Sequence, residues 1–295
     1  MAVMSLPADD PLVRALQQVD PLPDDRGSAP ALLYHYTSAD GLIGILSSGE
    51  VWATHAQSMN DASEVSFAAD TVALAVTGER GRLAERPWEA FLEECEHLCH
   101  THDLLLLPFF ACFCEDGDLL SQWRAYGEGS GFSIGFEASA LPSLTMPNVM
   151  RTQLLRVVYD PAHQRDRVMK GLARTREVFE KLGAEPARLH FWVNELLPML
   201  CSFKHPAFAE EREWRLASLQ WNIVVPEAIG VEFRSRAGLV IPFARFSGSG
   251  GLPIRALGYG PRASPEQVER QVGLLVERYG YGTVPITSSY APLRS

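Results

Sequence analysis

Two glutamates with one residue between them, Glu211 and Glu213, lie where an apolar strand is predicted to begin. An extended backbone places Glu211, Glu213 and Arg215 on one face, because side chains alternate along a strand. Trp214 and Leu216 then share the opposite, apolar face. A carboxylate pair at the mouth of a core strand suits general-base chemistry or the stabilisation of a developing positive charge. The alternative is a salt-bridged surface strand in which Arg215 neutralises Glu211.

A histidine near the start of the chain is the second candidate. His35 lies in residues 32–36, whose apolar and aromatic content predicts a strand. Ser38 then caps a predicted helix that ends at Gly49. Backbone N–H groups are free at such a corner, so it can hold a ribose or a phosphate. The alternative is that Thr37 and Ser38 only cap the helix and that His35 is a partly buried core residue.

Aromatic residues beside glycines form the third candidate. Trp123 and Tyr126 precede a glycine-rich turn at residues 127–131. A flat ligand ring can stack on an aromatic side chain where glycines let the backbone come close. The alternative is that Trp123 packs in the core and that the glycines only make a turn.

The cysteines favour thiols over a metal site or disulfides. Cys95 and Cys99 are four residues apart on a predicted helix and could share a metal with a nearby histidine. No second Cys/His pair follows at zinc-finger spacing, so we expect no metal. The chain has five cysteines, and this odd number favours reduced thiols. The P-loop, Rossmann, zincin and α/β-hydrolase motifs are missing from the sequence.

Predicted strands and helices alternate without a regular βαβ repeat, which favours an α+β fold. Predicted strands cover residues 32–36, 51–55, 105–114, 132–136, 154–159, 214–219, 231–233, 239–241, 254–258 and 283–288. Predicted helices cover residues 38–49, 62–76, 88–102, 118–126, 163–182, 189–201 and 265–279, and Asn60-Asp61 lies in a predicted loop. Residues 1–30 are rich in Pro, Asp and Gly and predict a flexible arm. We predict one domain over residues 31–295.

Composition and charge narrow the function classes. The net charge of −10 disfavours tight non-specific binding of nucleic acid. Residues 151–181 are basic, and the ordinary interpretation of such a run is a solvated amphipathic helix. No apolar stretch is long enough to span a bilayer and no secretory signal is visible. We therefore expect a cytoplasmic protein without membrane contact.

Taken together, several motifs resemble a widespread bacterial and phage family of unknown function. In chain order they are Tyr34-His35-Tyr36-Thr37, Met59-Asn60-Asp61-Ala62-Ser63-Glu64, Phe110-Ala111-Cys112-Phe113-Cys114, Gln122-Trp123-Arg124-Ala125-Tyr126-Gly127, Gly135-Phe136 and Glu211-x-Glu213-Trp214-Arg215, with Lys204 and Phe208 before the last. The resemblance covers roughly residues 32–290. That family in turn resembles the ADP-ribosyltransferase superfamily, including DarT-type toxins that modify DNA.

The resemblance implies a fold and a substrate. The fold is an ADP-ribosyltransferase-like split β-sheet core with surrounding helices, and NAD is the substrate. The activity would be NAD-dependent ADP-ribosyl transfer or NAD hydrolysis, in a toxin or in anti-phage defence. The acceptor would be nucleic acid or protein, and an antitoxin or other partner protein is expected.

The resemblance also implies residue roles. His35 and Thr37, with Tyr36 between them, would contact the NAD ribose on the adenosine side. Tyr126 would stack on nicotinamide, with Trp123 or Phe132 as alternatives because Tyr126 falls in a helix-to-turn segment.

Glu213 would accept a hydrogen bond from the ribose 2′-hydroxyl, and Glu211 would orient or deprotonate the acceptor. Two other classes stay open. One is a metal-dependent hydrolase or nuclease that uses clustered carboxylates such as Asp61, Glu64, Glu211 and Glu213. The other is a catalytically inert module that binds a nucleotide.

Overall fold

The computed structural model describes residues 29–58, 63–82, 86–101, 108–126, 130–147, 151–219, 230–236 and 238–292. The predicted arm, apart from its last two residues, and the Asn60-Asp61 loop lie outside these ranges. Within them the chain forms a mixed sheet with helices around it, which confirms the predicted α+β class. None of the described helices is both long enough and apolar enough to cross a membrane.

Ten strands are described: β1 (Leu32–Thr37), β2 (Glu50–His55), β3 (Phe109–Cys114), β4 (Phe132–Glu137), β5 (Arg151–Arg156), β6 (Glu213–Leu219), β7 (Glu232–Arg236), β8 (Leu239–Ser247), β9 (Ile254–Tyr259) and β10 (Ile286–Ser288). The α-helices are α1 (Ala39–Ser48), α2 (Ser63–Arg80), α3 (Arg86–His100), α4 (Leu120–Ala125), α5 (Pro161–Leu182), α6 (Ala184–His190), α7 (Leu197–Ser202) and α8 (Pro265–Arg278). A π-helical turn, Phe191–Leu196, joins α6 to α7, and 3₁₀ turns cover Ala56–Ser58, Ala138–Ser143 and Pro206–Glu211.

The sheet divides at β3. Strand β6 pairs with β3 from Phe110 to Cys114, which occupies one edge of β3. The other edge is shared, because β1 pairs at Cys114 while β2 pairs at Phe109 and Phe110. Two arms leave β3 from there, β1-β4-β9-β10 and β2-β8-β7, and β5 extends the sheet beyond β6. The fork places Tyr34, in the middle of β1, beside the end of β3 at Cys114, and the other edge of Cys114 faces the start of β6 at Glu213.

Two hydrophobic cores cover the two faces of the sheet. One core lies against α1 and α8 and contains inward residues of both arms, such as Leu33, Ile134 and Ala244. The other lies beneath α2, α3, α5 and α7 and includes Phe110 and Ala217. Alternation along β6 therefore turns its odd-numbered residues toward the helical layer.

Local signals in the sequence set most element boundaries. The Ser38 hydroxyl accepts a hydrogen bond from the Gly41 N–H at 3.2 Å, and Gly49 ends α1 with φ of 68°. Both confirm the predicted caps. Strand β8 continues to Ser247, six residues beyond its predicted end. Pro242 lies opposite Phe233 of β7 but beyond the pairing with β2, which stops at Phe243, so this part of β8 has one neighbouring strand, as an edge strand does.

The basic run over residues 151–181 is mostly a solvated helix, as the ordinary interpretation predicts. Several cations of α5 have carboxylate partners one turn away on the same helix: Lys170 with Asp166, Arg176 with Glu180 and Lys181 with Glu177. These pairs neutralise much of the positive charge of that face.

A buried ion pair fixes the π-helical turn. Residues 189–201 are predicted as one helix, but the structure inserts the turn Phe191–Leu196 before Pro198. Glu195 is 1% exposed, and its carboxylate accepts two hydrogen bonds from the Arg174 guanidinium of α5, each with an N–O distance of 2.8 Å. Gly171 leaves room for this carboxylate, since a Cβ there would lie 2.8 Å from Glu195 Oε2. The turn sets the direction of α7, which leads to Lys204.

Replacing Arg174 with Met should destabilise the fold, because the Glu195 carboxylate stays buried without its bidentate partner. We expect the free energy of unfolding to fall by roughly 3 kcal/mol, the usual cost of removing one side of a buried pair. Lys181→Met is the control, because Lys181 and Glu177 are both exposed and such pairs contribute under about 0.5 kcal/mol. Urea denaturation measures both, and equal small losses would contradict the role given to Arg174.

Candidate functional site

A lysine ammonium holds three carboxylates together at the mouth of β6. Lys204 Nζ lies 2.7 Å from Glu211 Oε2, 2.9 Å from Glu213 Oε2 and 3.1 Å from Glu64 Oε1. Lys204 is 6% exposed and Glu213 3% exposed. Buried charges require such pairing, because an isolated ion in the interior has lost its hydration.

Arg215 is the second cation of this charge network. Its guanidinium, 1% exposed, donates from Nε to Glu213 Oε1 at 2.7 Å and from Nη2 to Oε2 at 3.1 Å. Nη2 also donates to Glu64 Oε2, and Nη1 donates to the Cys201 carbonyl at 3.1 Å. The charge network, Glu64, Lys204, Glu211, Glu213 and Arg215, thus contains three anions and two cations.

Backbone geometry explains why Glu211 and Glu213 meet the same ammonium. Arg212, between them, has φ of 42° and ψ of 52°, the left-handed region. It is the one non-glycine residue with positive φ in the described part of the chain. This turn ends the 3₁₀ segment and starts β6, so that both carboxylates approach Lys204. The left-handed conformation is unfavourable for any residue that has a Cβ atom. Residues strained in this way cluster at functional sites.

The pKa values of the two carboxylates are shifted in opposite directions. Burial alone would raise the pKa of Glu213, but Arg215 and Lys204 outweigh it and lower that pKa from 4.5 to about 2. Burial raises the pKa of Glu211, and the hydrogen bond and charge of Lys204 offset this only in part. Neighbouring carboxylates whose surroundings shift their pKa values in opposite directions are typical of acid–base pairs.

Two further side chains interact with Glu213 that the sequence did not single out as site residues. The Tyr159 hydroxyl accepts a hydrogen bond from the Glu213 N–H at 3.0 Å. The thiol of Cys112, on neighbouring β3, lies on the same face of the sheet, and the charge of Glu213 adds to burial in raising its pKa. Tyr159 lies 54 residues before Glu213, and no motif connects the two. Only the folded chain reveals these interactions.

His35 and Glu213 project from opposite faces of the sheet. Tyr34 lies opposite Cys114, and Cys114 lies opposite Glu213, so these three side chains share one face. His35 alternates to the other face, where its ring is 5.7 Å from that of Phe113. The structure therefore brings Tyr34, and not His35, to the Glu213 side of β1.

The His35 ring is held in one tautomer. Nδ1 lies 2.8 Å from the Cys112 carbonyl, which can only accept, so Nδ1 carries the proton. Burial lowers the pKa of His35, and the nearby Arg234 lowers it further. The imidazole is therefore neutral near pH 7, with a lone pair on Nε2. Thr37 lies on the same face of β1 as His35.

The aromatic candidates form a small core of their own. Tyr36 and Trp123 are 4% and 1% exposed, and their rings meet edge to face at 4.9 Å. The Tyr36 hydroxyl donates to the Asp116 carbonyl and accepts from the Leu119 N–H. Tyr126 packs against this cluster, while residues 127–129 of the predicted glycine turn lie outside the described ranges. Trp123 packs in the core, as its structural alternative predicts.

The structure modifies both interpretations of the carboxylate strand. Glu213 and Arg215 share one face of β6, as alternation predicts, but Glu213 is 3% exposed and ion-paired. The alternative of a surface strand in which Arg215 neutralises Glu211 is wrong, because Arg215 is buried and its carboxylate partners are Glu213 and Glu64. Glu211 pairs with Lys204 instead, which arrives from a loop that no periodicity connects to β6.

The described residues contain no group of three or more His, Cys, Asp or Glu side chains arranged to hold a metal. Among the acidic residues at the site, an ammonium stands at the point where three carboxylates converge. Cys95 and Cys99 are buried in the helical layer, each 0% exposed. All five cysteines are free thiols in the structure.

The chain is similar in part to known proteins. A family model for proteins of unknown function, DUF2971, matches residues 122–216. The matched segment contains most of the charge network, but Glu64 and His35 lie outside it. No curated protein and no solved structure matches the chain.

Arg212→Gly should be more stable than Arg212→Val by about 1–2 kcal/mol, because glycine adopts the left-handed conformation without steric cost. Both variants lose the 3.2 Å contact of Arg212 with Asp116, so their difference isolates the backbone effect. Thermal and urea unfolding measure it. Equal stabilities would show that Arg212 does not need this conformation.

Glu213→Gln should lower stability at pH 7 by roughly 3 kcal/mol, the free energy that corresponds to a pKa lowered from 4.5 to about 2. Because the folded-state pKa is depressed, this stabilisation is complete above pH 4.5 and disappears as the pH falls through 2. The difference from wild type should therefore narrow over that window. Urea titrations at several pH values measure it, with exposed Glu210→Gln as the control. A difference that stays constant with pH would contradict the assignment.

Proposed function

We propose that this chain is an NAD-dependent ADP-ribosyltransferase whose reaction is carried by Glu213 and Glu211. One observation carries the proposal: two carboxylates share the ammonium of Lys204, yet one is held ionised and the other is pushed toward protonation. A fixed negative charge beside an adjustable proton acceptor is the combination that glycosyl transfer requires.

The two carboxylates suit different parts of the reaction. Cleavage of the nicotinamide–ribose bond sends its electron pair to nicotinamide and leaves positive charge on the ribose. Glu213, ionised at neutral pH, accepts a hydrogen bond from the 2′-hydroxyl that strengthens as this charge develops. Glu211 takes the proton of the acceptor nucleophile as that atom bonds to the ribose carbon. With water as the acceptor, the same steps give NAD hydrolysis.

Two features outside the charge network support the proposal. The sheet forks at β3, as a split-sheet core of the ADP-ribosyltransferase type requires. The motifs named in the sequence resemble, in their order, a bacterial and phage family of unknown function, and that family in turn resembles the superfamily. The roles of His35, Tyr36, Thr37, Trp123 and Tyr126 in binding NAD are proposed on this resemblance alone. The geometry around Glu213 gives them no support, because His35 and Thr37 face away from Glu213 and Tyr36 and Trp123 are buried. A nucleic acid or protein acceptor, and a toxin or defence role with an antitoxin partner, are also proposed on the resemblance.

A metal-dependent hydrolase is a weaker candidate on this geometry. Glu64, Glu211 and Glu213 converge on Lys204 Nζ, so a divalent cation would have to displace an ammonium that is held by all three. An inert nucleotide-binding module uses the same residues without turnover. An activity that a chelator abolishes would identify the hydrolase. A protein that NAD stabilises against unfolding without release of nicotinamide would be the inert module.

Purified protein should release nicotinamide from NAD in the presence of chelator. Glu213→Gln should lower turnover per folded molecule by roughly 10²–10³, the usual cost of removing one preorganised electrostatic partner. Because Gln weakens a transition-state contact, KM should change little. Glu211→Gln should have a milder effect or alter acceptor use.

Glu210→Gln is the matched control, because Glu210 precedes the pair and is exposed. Turnover is measured by chromatography of nicotinamide, and the folded fraction by melting curves on the same preparations. A Glu213→Gln protein with wild-type turnover per folded molecule would refute the catalytic role.

A further inference from the structure

The segment that covers the charge network has no core of its own. Residues 205–212, here called the lid, leave the buried loop at Lys204 and return to the sheet at Glu213. Their 3₁₀ turn, Pro206–Glu211, contains no buried residue. Segments with few buried apolar contacts open at low free energy while the rest of the fold stays intact.

Polar and ring contacts hold the lid down. Glu211 Oε2 lies 2.7 Å from Lys204 Nζ, and the Phe208 ring lies over the same ammonium with its centroid 4.9 Å away. At the lid's ends, the His205 ring meets Phe67 of α2 at 5.6 Å, and Arg212 Nη2 lies 3.2 Å from Asp116 Oδ2. Lys204 is therefore the main point of attachment.

The other sides of Glu213 are closed by regular structure. Cys112 and Cys114 of β3 lie beside it, and Arg215 of its own strand covers both carboxylate oxygens. Glu64 projects from α2 onto Arg215 and Lys204. A ligand that approaches Glu213 from any of these sides would have to separate paired strands or packed helices.

We propose that residues 205–212 form a lid, latched by Glu211 and Phe208 on Lys204, that lifts to admit substrate to Glu213. The inference rests on the proposed function in one respect, the identity of Glu213 as the group that substrate must reach. The latch itself depends only on contacts within the folded chain.

Charge pairing shows why this segment can lift. With Glu211 withdrawn, the remaining charge network contains two anions, Glu64 and Glu213, and two cations, Lys204 and Arg215. No buried ion is left unpaired, which is the costly outcome in the interior. Withdrawal of Glu64 or Glu213 instead would leave Arg215, 1% exposed, without one of its partners. Glu211 is thus the carboxylate that the charge network can release.

The left-handed residue at the base of the lid favours the same motion. Arg212, with φ of 42°, turns the chain between Glu211, which lies on Lys204, and Glu213. When the latch opens, rotation about this residue relieves the steric cost of its Cβ. Arg212 is therefore the hinge at the end of the lid that joins β6.

Hydrogen exchange on the full chain tests the latch. Phe208→Ala and Glu211→Ala each remove one contact to Lys204, and either loss should speed amide exchange over residues 205–212 about tenfold, the factor that corresponds to 1.4 kcal/mol. Amides of β3 should exchange as in wild type. Glu210→Ala, a lid variant with an exposed side chain, should leave the lid unchanged.

Nicotinamide release separates the latch from the proposed reaction. Phe208→Ala should raise kcat/KM for NAD by a factor similar to its effect on exchange, because the open fraction sets access. Unchanged lid exchange in both variants would overturn the latch, whatever the activity. Faster exchange with unchanged kcat/KM would also overturn the lid, since substrate then enters by another route. Faster exchange with no nicotinamide release from any protein, wild type included, would refute the proposed function and leave the latch standing.

Discussion

The pairing of Arg215 with Glu213 is the interaction on which the site depends. Both side chains leave water almost completely, and each would be costly to bury alone. Lys204 and Glu64 complete their hydrogen bonds, so α2, the loop after α7 and β6 must meet at one point. The π-helical turn and its Glu195–Arg174 pair direct the chain to that point. The fold is therefore organised around a polar cluster as well as around its two apolar cores.

This cluster is also a preorganised electrostatic environment. The cations fix the ionisation of Glu213 and its orientation before any ligand arrives, so no reorganisation is needed when charge develops nearby. The same burial prevents direct access to Glu213, because a carboxylate that is 3% exposed cannot contact a substrate unless the structure opens. If substrate reaches Glu213 as we propose, a segment beside Glu213 must be weakly held, and the 3₁₀ turn of the lid has no buried residue.

The sequence predicts the elements well and the site only in part. Periodicity and caps locate β1, α1 and β6, and alternation places Glu213 and Arg215 on one face. Spacing gives no sign that Glu64, 151 residues before Arg215, accepts a hydrogen bond from the Arg215 guanidinium. The left-handed Arg212 has no signal either, since glycine would be the expected residue. The face of His35 depends on the register of β1 against β3, which long-range pairing decides.

The excess of one carboxylate over the cations connects stability to function in this site. A network of equal charges would be more favourable to bury, and its members would be equally hard to remove. The third carboxylate, Glu211, is held at a cost that its raised pKa reflects, because burial opposes its charge more than Lys204 supports it. It is also the most exposed of the three, with 19% of its side chain accessible. In the proposed mechanism the same residue therefore closes the site, leaves it and accepts a proton, three roles that the fully paired Glu213 cannot combine.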